Sequence, residues 1–344
     1  MIRVLVADDS ATVLEYLVYL LGEDPALEIV GTARDGHEAV EQAERLRPDV
    51  IVMDVHMPRM NGYDATRKIM ERVPTPIVTV SASISRDEVA MTFEALKAGA
   101  LTVVQKPGGL DHPTHAESAR RLVETVKLMA EVKVVRRWPR REHAVPPSPV
   151  TARPDRKIRL VAVGASTGGP QVVAEILARL PVDLAAPILI VQHIAPGFTE
   201  GLVEWLDQAT RLSVKLAEPG EAVQPGTVYL PRNGFQMGIG KDQRIHLTNG
   251  PTEEGFSPSA SYLFRSVADA YGRSALGILL TGMGRDGAAG LKRLREAGGV
   301  TIAQDEESSI IFGMPAEAIR LGAAEHVLSP EQIAGMIRSL VKNG

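Results

Sequence analysis

The 344-residue sequence has no cysteine, which excludes disulfides, zinc–thiolate sites and a thiol nucleophile. Neither sign of charge dominates. The net charge of −4 gives no reason to expect nucleic-acid binding. No apolar run approaches the ~18 residues that a membrane-spanning helix needs. The first residues, M-I-R-V-L-V-A-D-D-S, open on a strand pattern without the signature of a secretory signal, so a cytoplasmic protein is expected. What remains is an ordinary globular composition, 44% hydrophobic and 23% charged, over a length that predicts two domains at one per ~150 residues.

The first half alternates strand and helix patterns. Ile2–Ala7, Leu27–Val30, Val50–Met53, Pro76–Val80 and Leu101–Val104 read as strands, with apolar-periodic helical segments between them. This predicts a parallel sheet covered by helices on both faces, with ligands bound outside the carboxyl ends of its strands. Those ends carry Asp8, Asp9, Asp54, Ser81 and Lys106. Three carboxylates at one edge repel one another unless a cation joins them, and hard oxygen donors without His or Cys point to magnesium. A lysine and a hydroxyl beside them can hold a phosphoryl group. Any single strand-end Asp is more simply a helix cap or turn former; five such residues on the right strands are not.

Residues 1–125 thus resemble a two-component receiver domain. The resemblance implies that Asp54 is the phosphoacceptor and that Asp8, Asp9 and Asp54 hold Mg2+. It also implies that Ser81 and Lys106 sense the phosphoryl oxygens and that Lys106-Pro107 forms a cis-proline turn. Val103 stands where receivers commonly carry an aromatic residue, three positions before the lysine.

Residues 126–157 read as a helix end followed by a linker. From Glu131 to Lys157 there are eight Lys or Arg against three acids, and five prolines fall between Trp138 and Pro154. Such a stretch cannot build a core, and a flexible tether is expected. As a nucleic-acid patch it lacks aromatic platforms beyond Trp138.

The second half is organised around Ile158–Pro170, I-R-L-V-A-V-G-A-S-T-G-G-P. A buried strand runs into a Gly-rich turn and then a helix, with Ser166 on the turn. Gly permits the tight backbone, and the helix start offers free N–H groups. The turn suits a nucleophilic hydroxyl; it also suits a phosphate cradle or a plain bend. Two further strands are followed by His193 and Asp286. A serine needs a base, a histidine has a suitable pKa, and a carboxylate on its other ring nitrogen fixes the tautomer. G-A-S-T-G fits the nucleophile elbow of α/β-hydrolases, but the order Ser-His-Asp does not. A dinucleotide site is disfavoured because G-x-G-x-x-G is missing from the turn. Thr227–Leu230, Phe235–Ile239 and Arg244–Leu247 predict a small antiparallel excursion from an otherwise parallel, doubly wound sheet.

G-A-S-T-G-G-P, Q-H-I-A-P-G-F-T, T-G-M-G-R-D-G-A-A-G and A-Q-D-E-E-S-S-I-I-F-G-M-P together resemble the catalytic domain of the CheB-type methylesterase family, over residues 158–344. The fold class expected is therefore α/β, a flavodoxin-like receiver and a Rossmann-like esterase joined by a Pro/Arg-rich linker. The resemblance implies hydrolysis of glutamate methyl esters on chemoreceptors and deamidation of receptor glutamines, with Ser166 as nucleophile, His193 as base and Asp286 as orienting acid. The Met283 backbone lies in the oxyanion hole on this reading, and Thr167 lines the site. No cofactor is expected at the esterase site. The implied partners are methylated chemoreceptors and a CheA-type histidine kinase, with peripheral contact to receptor arrays and no membrane insertion. Ser257, Ser261 and Gln236 depart from the family pattern, where arginine, aspartate and histidine are usual. Loss of those charges predicts a chemosensory pathway other than the standard flagellar one. The rival reading is a non-catalytic signalling module that binds its receptor through the altered pocket.

Overall fold

The computed structural model describes residues 1–81, 86–109, 115–132, 134, 157–250, 252–253 and 255–341. It divides into two compact units, Met1–Ala144 and Val145–Gly344. The expected tether lies almost wholly outside the described residues.

The first unit contains β1 (Ile2–Ala7), α1 (Ala11–Gly22), β2 (Leu27–Ala33), α2 (Gly36–Leu46), β3 (Val50–Asp54), α3 (Gly62–Arg72), β4 (Ile77–Ser81), α4 (Arg86–Ala98), β5 (Thr102–Gln105) and α5 (His115–Ala130). Its sheet runs β2-β1-β3-β4-β5, with every pairing parallel. The central strand β3 is a nearly continuous apolar run because helices cover both faces; Val50, Ile51, Val52 and Met53 are fully buried. Ser10, Asp35 and Asn61 each accept a backbone N–H from the first turn of the helix that follows. The chain leaves β1 for one side of the sheet and β3 lies on the other. The carboxyl ends of these two strands, paired at Ala7 and Met53, therefore open into the crevice where ligands bind in such sheets.

The second unit continues with β6 (Leu160–Ala165), α6 (Gly169–Ala178), β7 (Ile188–Gln192), α7 (Thr199–Ala209), β8 (Ser213–Leu216), β9 (Thr227–Leu230), β10 (Gln236–Ile239) and β11 (Ile245–Thr248). Then come α8 (Ala260–Tyr271), β12 (Ala275–Leu279), α9 (Ala288–Glu296), β13 (Val300–Gln304), α10 (Met314–Arg320), β14 (His326–Leu328) and α11 (Pro330–Leu340). Seven parallel strands run β14-β13-β12-β6-β7-β9-β8, while β10 and β11 form a separate antiparallel pair. The order reverses about β6, the strand that leads to Ser166. Helix α8 packs Leu263, Phe264 and Val267 into the core.

The doubly wound parallel architecture agrees with the sequence in both units. Some details differ. Thr227–Leu230 is no part of the antiparallel excursion; it lies parallel between β7 and β8. Its neighbour β8 escapes sequence reading because S-V-K-L is short and only partly buried at an edge. The Lys106–Pro107 bond is trans, and the cis bond among the described residues is Ser257–Pro258.

Candidate active site and acidic cluster

In the second unit the register of the sheet brings the candidate triad together. Ala165 pairs with Gln192, so the residues after β6 and β7, Ser166 and His193, stand side by side. His193 N–H donates to the Ala165 carbonyl at 2.9 Å. Beyond β12, Thr281 turns back towards β6, and its carbonyl accepts from Ser166 N–H at 3.0 Å. Gly282 then passes so close to the nucleophile that a β-carbon on it would stand 2.6 Å from Ser166 Cβ. Only glycine fits that approach.

Asp286 follows in the same loop and is buried. Its Oδ2 meets His193 Nε2 at 2.9 Å. The same carboxylate sits on the N-terminus of α8. Oδ2 also accepts from Ala260 N at 2.7 Å, while Oδ1 accepts from Ser259 Oγ at 2.8 Å and from Ser261 N at 3.0 Å. Burial alone would raise the Asp286 pKa. The bond and charge of His193 and the amides of Ser261 and Ala260 outweigh it and hold the carboxyl at about 2. An acceptor-only carboxylate at Nε2 requires the proton there. The other ring nitrogen, Nδ1, is buried and has no hydrogen-bond partner. The ring is thus fixed at one nitrogen by Asp286 and left without a partner at the other. Phe256 lies against its face, ring centroids 4.0 Å apart and planes 3° from parallel.

Met283, the next residue after Gly282, has an exposed side chain. Thr167 is tied in through its carbonyl, which accepts from Thr281 Oγ1 at 3.0 Å.

In the first unit Asp8, Asp9 and Asp54 each offer a carboxylate oxygen, all within 4.8 Å of one another. Lys106 Nζ lies 2.6 Å from Asp8 Oδ2 and 3.0 Å from Asp54 Oδ1. Burial pushes the Asp54 carboxyl up to about 6, Lys106 opposes this and Asp8 reinforces it. For Lys106 burial works against the charge, but the carboxylates of Asp54 and Asp8 prevail and raise its pKa. Ser81 ends β4, buried, and its carbonyl accepts from Lys106 N–H at 2.8 Å. Gly62 packs its α-carbon onto the Asp54 carbonyl, where a side chain would collide. Three clustered hard-oxygen donors fit Mg2+.

The sequence matches the CheB methylesterase family over residues 161–337 and the response regulator receiver domain over residues 4–128. It is 52% identical over 99% of both chains to protein-glutamate methylesterase/protein-glutamine glutaminase 4 of Geobacter metallireducens. The chain belongs to the CheB methylesterase family. The protein-glutamate methylesterase/protein-glutamine glutaminase of Nitrosospira multiformis is 50% identical over 99% of this chain and 97% of its own. The crystal structure of the Thermotoga maritima CheB methylesterase catalytic domain covers 54% of this chain and all of its own, at 36% identity and a TM-score of 0.52.

Within this family frame, two of the unusual residues are structural supports. Ser261 is fully buried, and its Oγ accepts from Gly287 N–H at 2.8 Å, bracing the Asp286 loop. Gln236 is buried too. Its Oε1 accepts from Ser259 N–H at 2.8 Å and its Nε2 donates to the Phe256 carbonyl at 2.9 Å. Both side chains are engaged in internal hydrogen bonds around Asp286 and Phe256.

Sequence reading missed Gln192, Ser259 and Phe256. Gln192 Nε2 donates to the carbonyls of both Ser166, at 2.7 Å, and His193, at 2.9 Å, clamping the two turns together. A polar residue closing an otherwise apolar buried strand was the available signal. Ser259 is a helix N-cap by its type and place, but its bond to Asp286 depends on a contact across 27 residues.

Proposed function

We propose that the second unit hydrolyses the γ-methyl esters of glutamate on chemoreceptors and deamidates receptor glutamines, through Ser166, His193 and Asp286. The observation that carries this reading is the placement of His193, its Nε2 2.9 Å from Asp286 Oδ2 and its Nδ1 without a hydrogen-bond partner. Nδ1 takes the Ser166 proton as Oγ attacks the ester carbonyl. The Met283 N–H meets the developing oxyanion, and one such donor typically contributes ~10²–10³ in turnover. Nδ1–H then protonates the leaving methoxide, methanol departs, and water activated by the same nitrogen cleaves the acyl-enzyme to leave a glutamate carboxylate. A glutamine amide follows the same route with ammonia as the leaving group. Thr167 lines the site, and no cofactor takes part.

On the same reading the protein is cytoplasmic, beside receptor arrays. Its receiver domain spans 1–125, its linker 126–157 and its catalytic domain 158–344. A CheA-type histidine kinase phosphorylates Asp54, and Ser81 and Lys106 bind the phosphoryl oxygens. Mg2+ held by Asp8, Asp9 and Asp54 would neutralise charge on the carboxylate and the incoming group. The unphosphorylated receiver restrains hydrolysis, and phosphorylation shifts the population towards an active state. Residues 150–344 alone are therefore expected to hydrolyse faster than the unphosphorylated full chain. Equal rates would refute the autoinhibition.

The decisive experiment is methanol release from membranes carrying methylated receptors of the same organism, with Mg2+ and a small phosphodonor, comparing wild type with Ser166→Ala. Gly282→Ala checks the close approach of the oxyanion loop. The added methyl group must displace that loop or the nucleophile, and turnover is expected to fall about 100-fold, as sub-ångström to 1 Å misplacements do. Wild-type turnover in that variant would show that the approach has slack.

A further inference from the structure

We propose that Phe256 is a catalytic residue, its ring face stabilising the positive charge that His193 acquires when it takes the Ser166 proton. The inference rests on the reading of His193 as base.

The two rings lie nearly face to face, 4.0 Å between centroids and 3° between planes. Near-parallel planes turn the face of the phenyl ring, not its edge, towards the imidazole. The backbone of Phe256 is held for it. Its carbonyl accepts from Gln236 Nε2 and from Glu253 N–H, at 2.9 and 3.0 Å, and its N–H donates to the Glu253 carbonyl at 2.9 Å. Glu253 is in turn ion-paired with Arg265 of α8.

Protonation changes the energetics. An imidazolium over the negative face of a phenyl ring is attracted to it, and the attraction grows where the cation is removed from water. The His193 side chain is only 5% exposed. The contact therefore strengthens when the base becomes charged, and that difference is what accelerates a reaction. The division of labour is also geometric. Asp286 occupies the ring edge at Nε2, Phe256 occupies a face, and Nδ1 has no hydrogen-bond partner. Because phenylalanine offers no hydrogen bond, it does not compete for that nitrogen.

The test replaces Phe256 in the full-length protein with 4-fluoro-, trifluoro- and pentafluorophenylalanine, which withdraw electron density from the ring face with little change of shape. Phe256→Leu completes the series, and kcat and KM are read on methylated receptor membranes. The expected result is a stepwise fall in kcat with each added fluorine, reaching about tenfold or more across the series, with KM and thermal midpoint constant. A flat kcat across the fluorinated series overturns the proposal even if the leucine variant is slow, since that pattern marks packing alone. A change confined to KM overturns it too, as a substrate contact. His193→Ala run alongside separates the two claims: hydrolysis that survives its loss sinks the triad itself, whereas an inactive His193→Ala with a flat fluorine series sinks only the role of Phe256.

Discussion

Full-length protein carrying Ser166→Ala is expected to lose ester hydrolysis by about 10⁵–10⁶-fold while its folding stability stays at the wild-type level. The hydrogen bonds that Ser166 contributes to the fold run through its backbone: N–H to the Thr281 carbonyl, and its own carbonyl to Gly169 N–H and Gln192 Nε2. Alanine keeps all of them and suits a half-buried turn. The loss should fall on chemistry alone. His193→Ala should cost about as much, and the double variant little more, because nucleophile and base act as one unit. Residual turnover well above the uncatalysed rate is expected from the oxyanion donors. Methanol release with parallel thermal unfolding checks this. Undiminished release from Ser166→Ala would remove the serine from the mechanism.

Asp286→Asn should damage both activity and stability. The carboxylate accepts hydrogen bonds at both oxygens, from Ser259, Ala260, Ser261 and His193. An amide has only one acceptor. If its NH2 replaces Oδ1, it faces the donors of Ser259 and Ser261; if it replaces Oδ2, it faces Ala260 N–H and His193. In the second pose it forces the His193 proton from Nε2 to Nδ1, the nitrogen that must be free to act as base. A change of tautomer of this kind costs about 10⁴ in turnover in the chymotrypsin triad. The stability effect follows from linkage. A folded pKa of about 2, below the ordinary 3.8, means that the folded state favours the ionised carboxylate. That contribution, about 2 kcal/mol, is complete above ~pH 4 and lost as pH falls towards 2. Asp286→Asn should therefore lower stability at neutral pH by at least that amount, and the difference from wild type should shrink in acid. Denaturant melts at pH 7 and pH 3 measure it; a gap of equal size at both would refute the linkage.

Much of this molecule is written locally. The parallel strands are nearly continuous apolar runs ending in chemically distinctive residues, so both sheets and the strand-end residues can be read without coordinates. Ser166, His193 and Asp286 could be nominated because each follows such a strand. What could not be read depends on distance in space. Strand β8 is a short, partly exposed edge with no strong period. Phe256, Gln236 and Ser259 carry no local sign of their role, since they act on His193 and Asp286 across gaps of many residues. The same limit applies to Ser261 and Gln236: their types do not reveal that both are buried and bonded within the fold.

The attachment of Asp286 to the start of α8 also sets an order in which this protein could decay over evolutionary time. The nucleophile hangs from a turn that needs only its backbone, so a lineage released from selection for hydrolysis could shed Ser166 and keep an intact, receptor-binding domain. The acid has no such freedom, because its loss loosens a helix of the core and exposes the domain to proteolysis. Silent descendants of this enzyme should therefore be sought among chains that retain the aspartate and lack the serine.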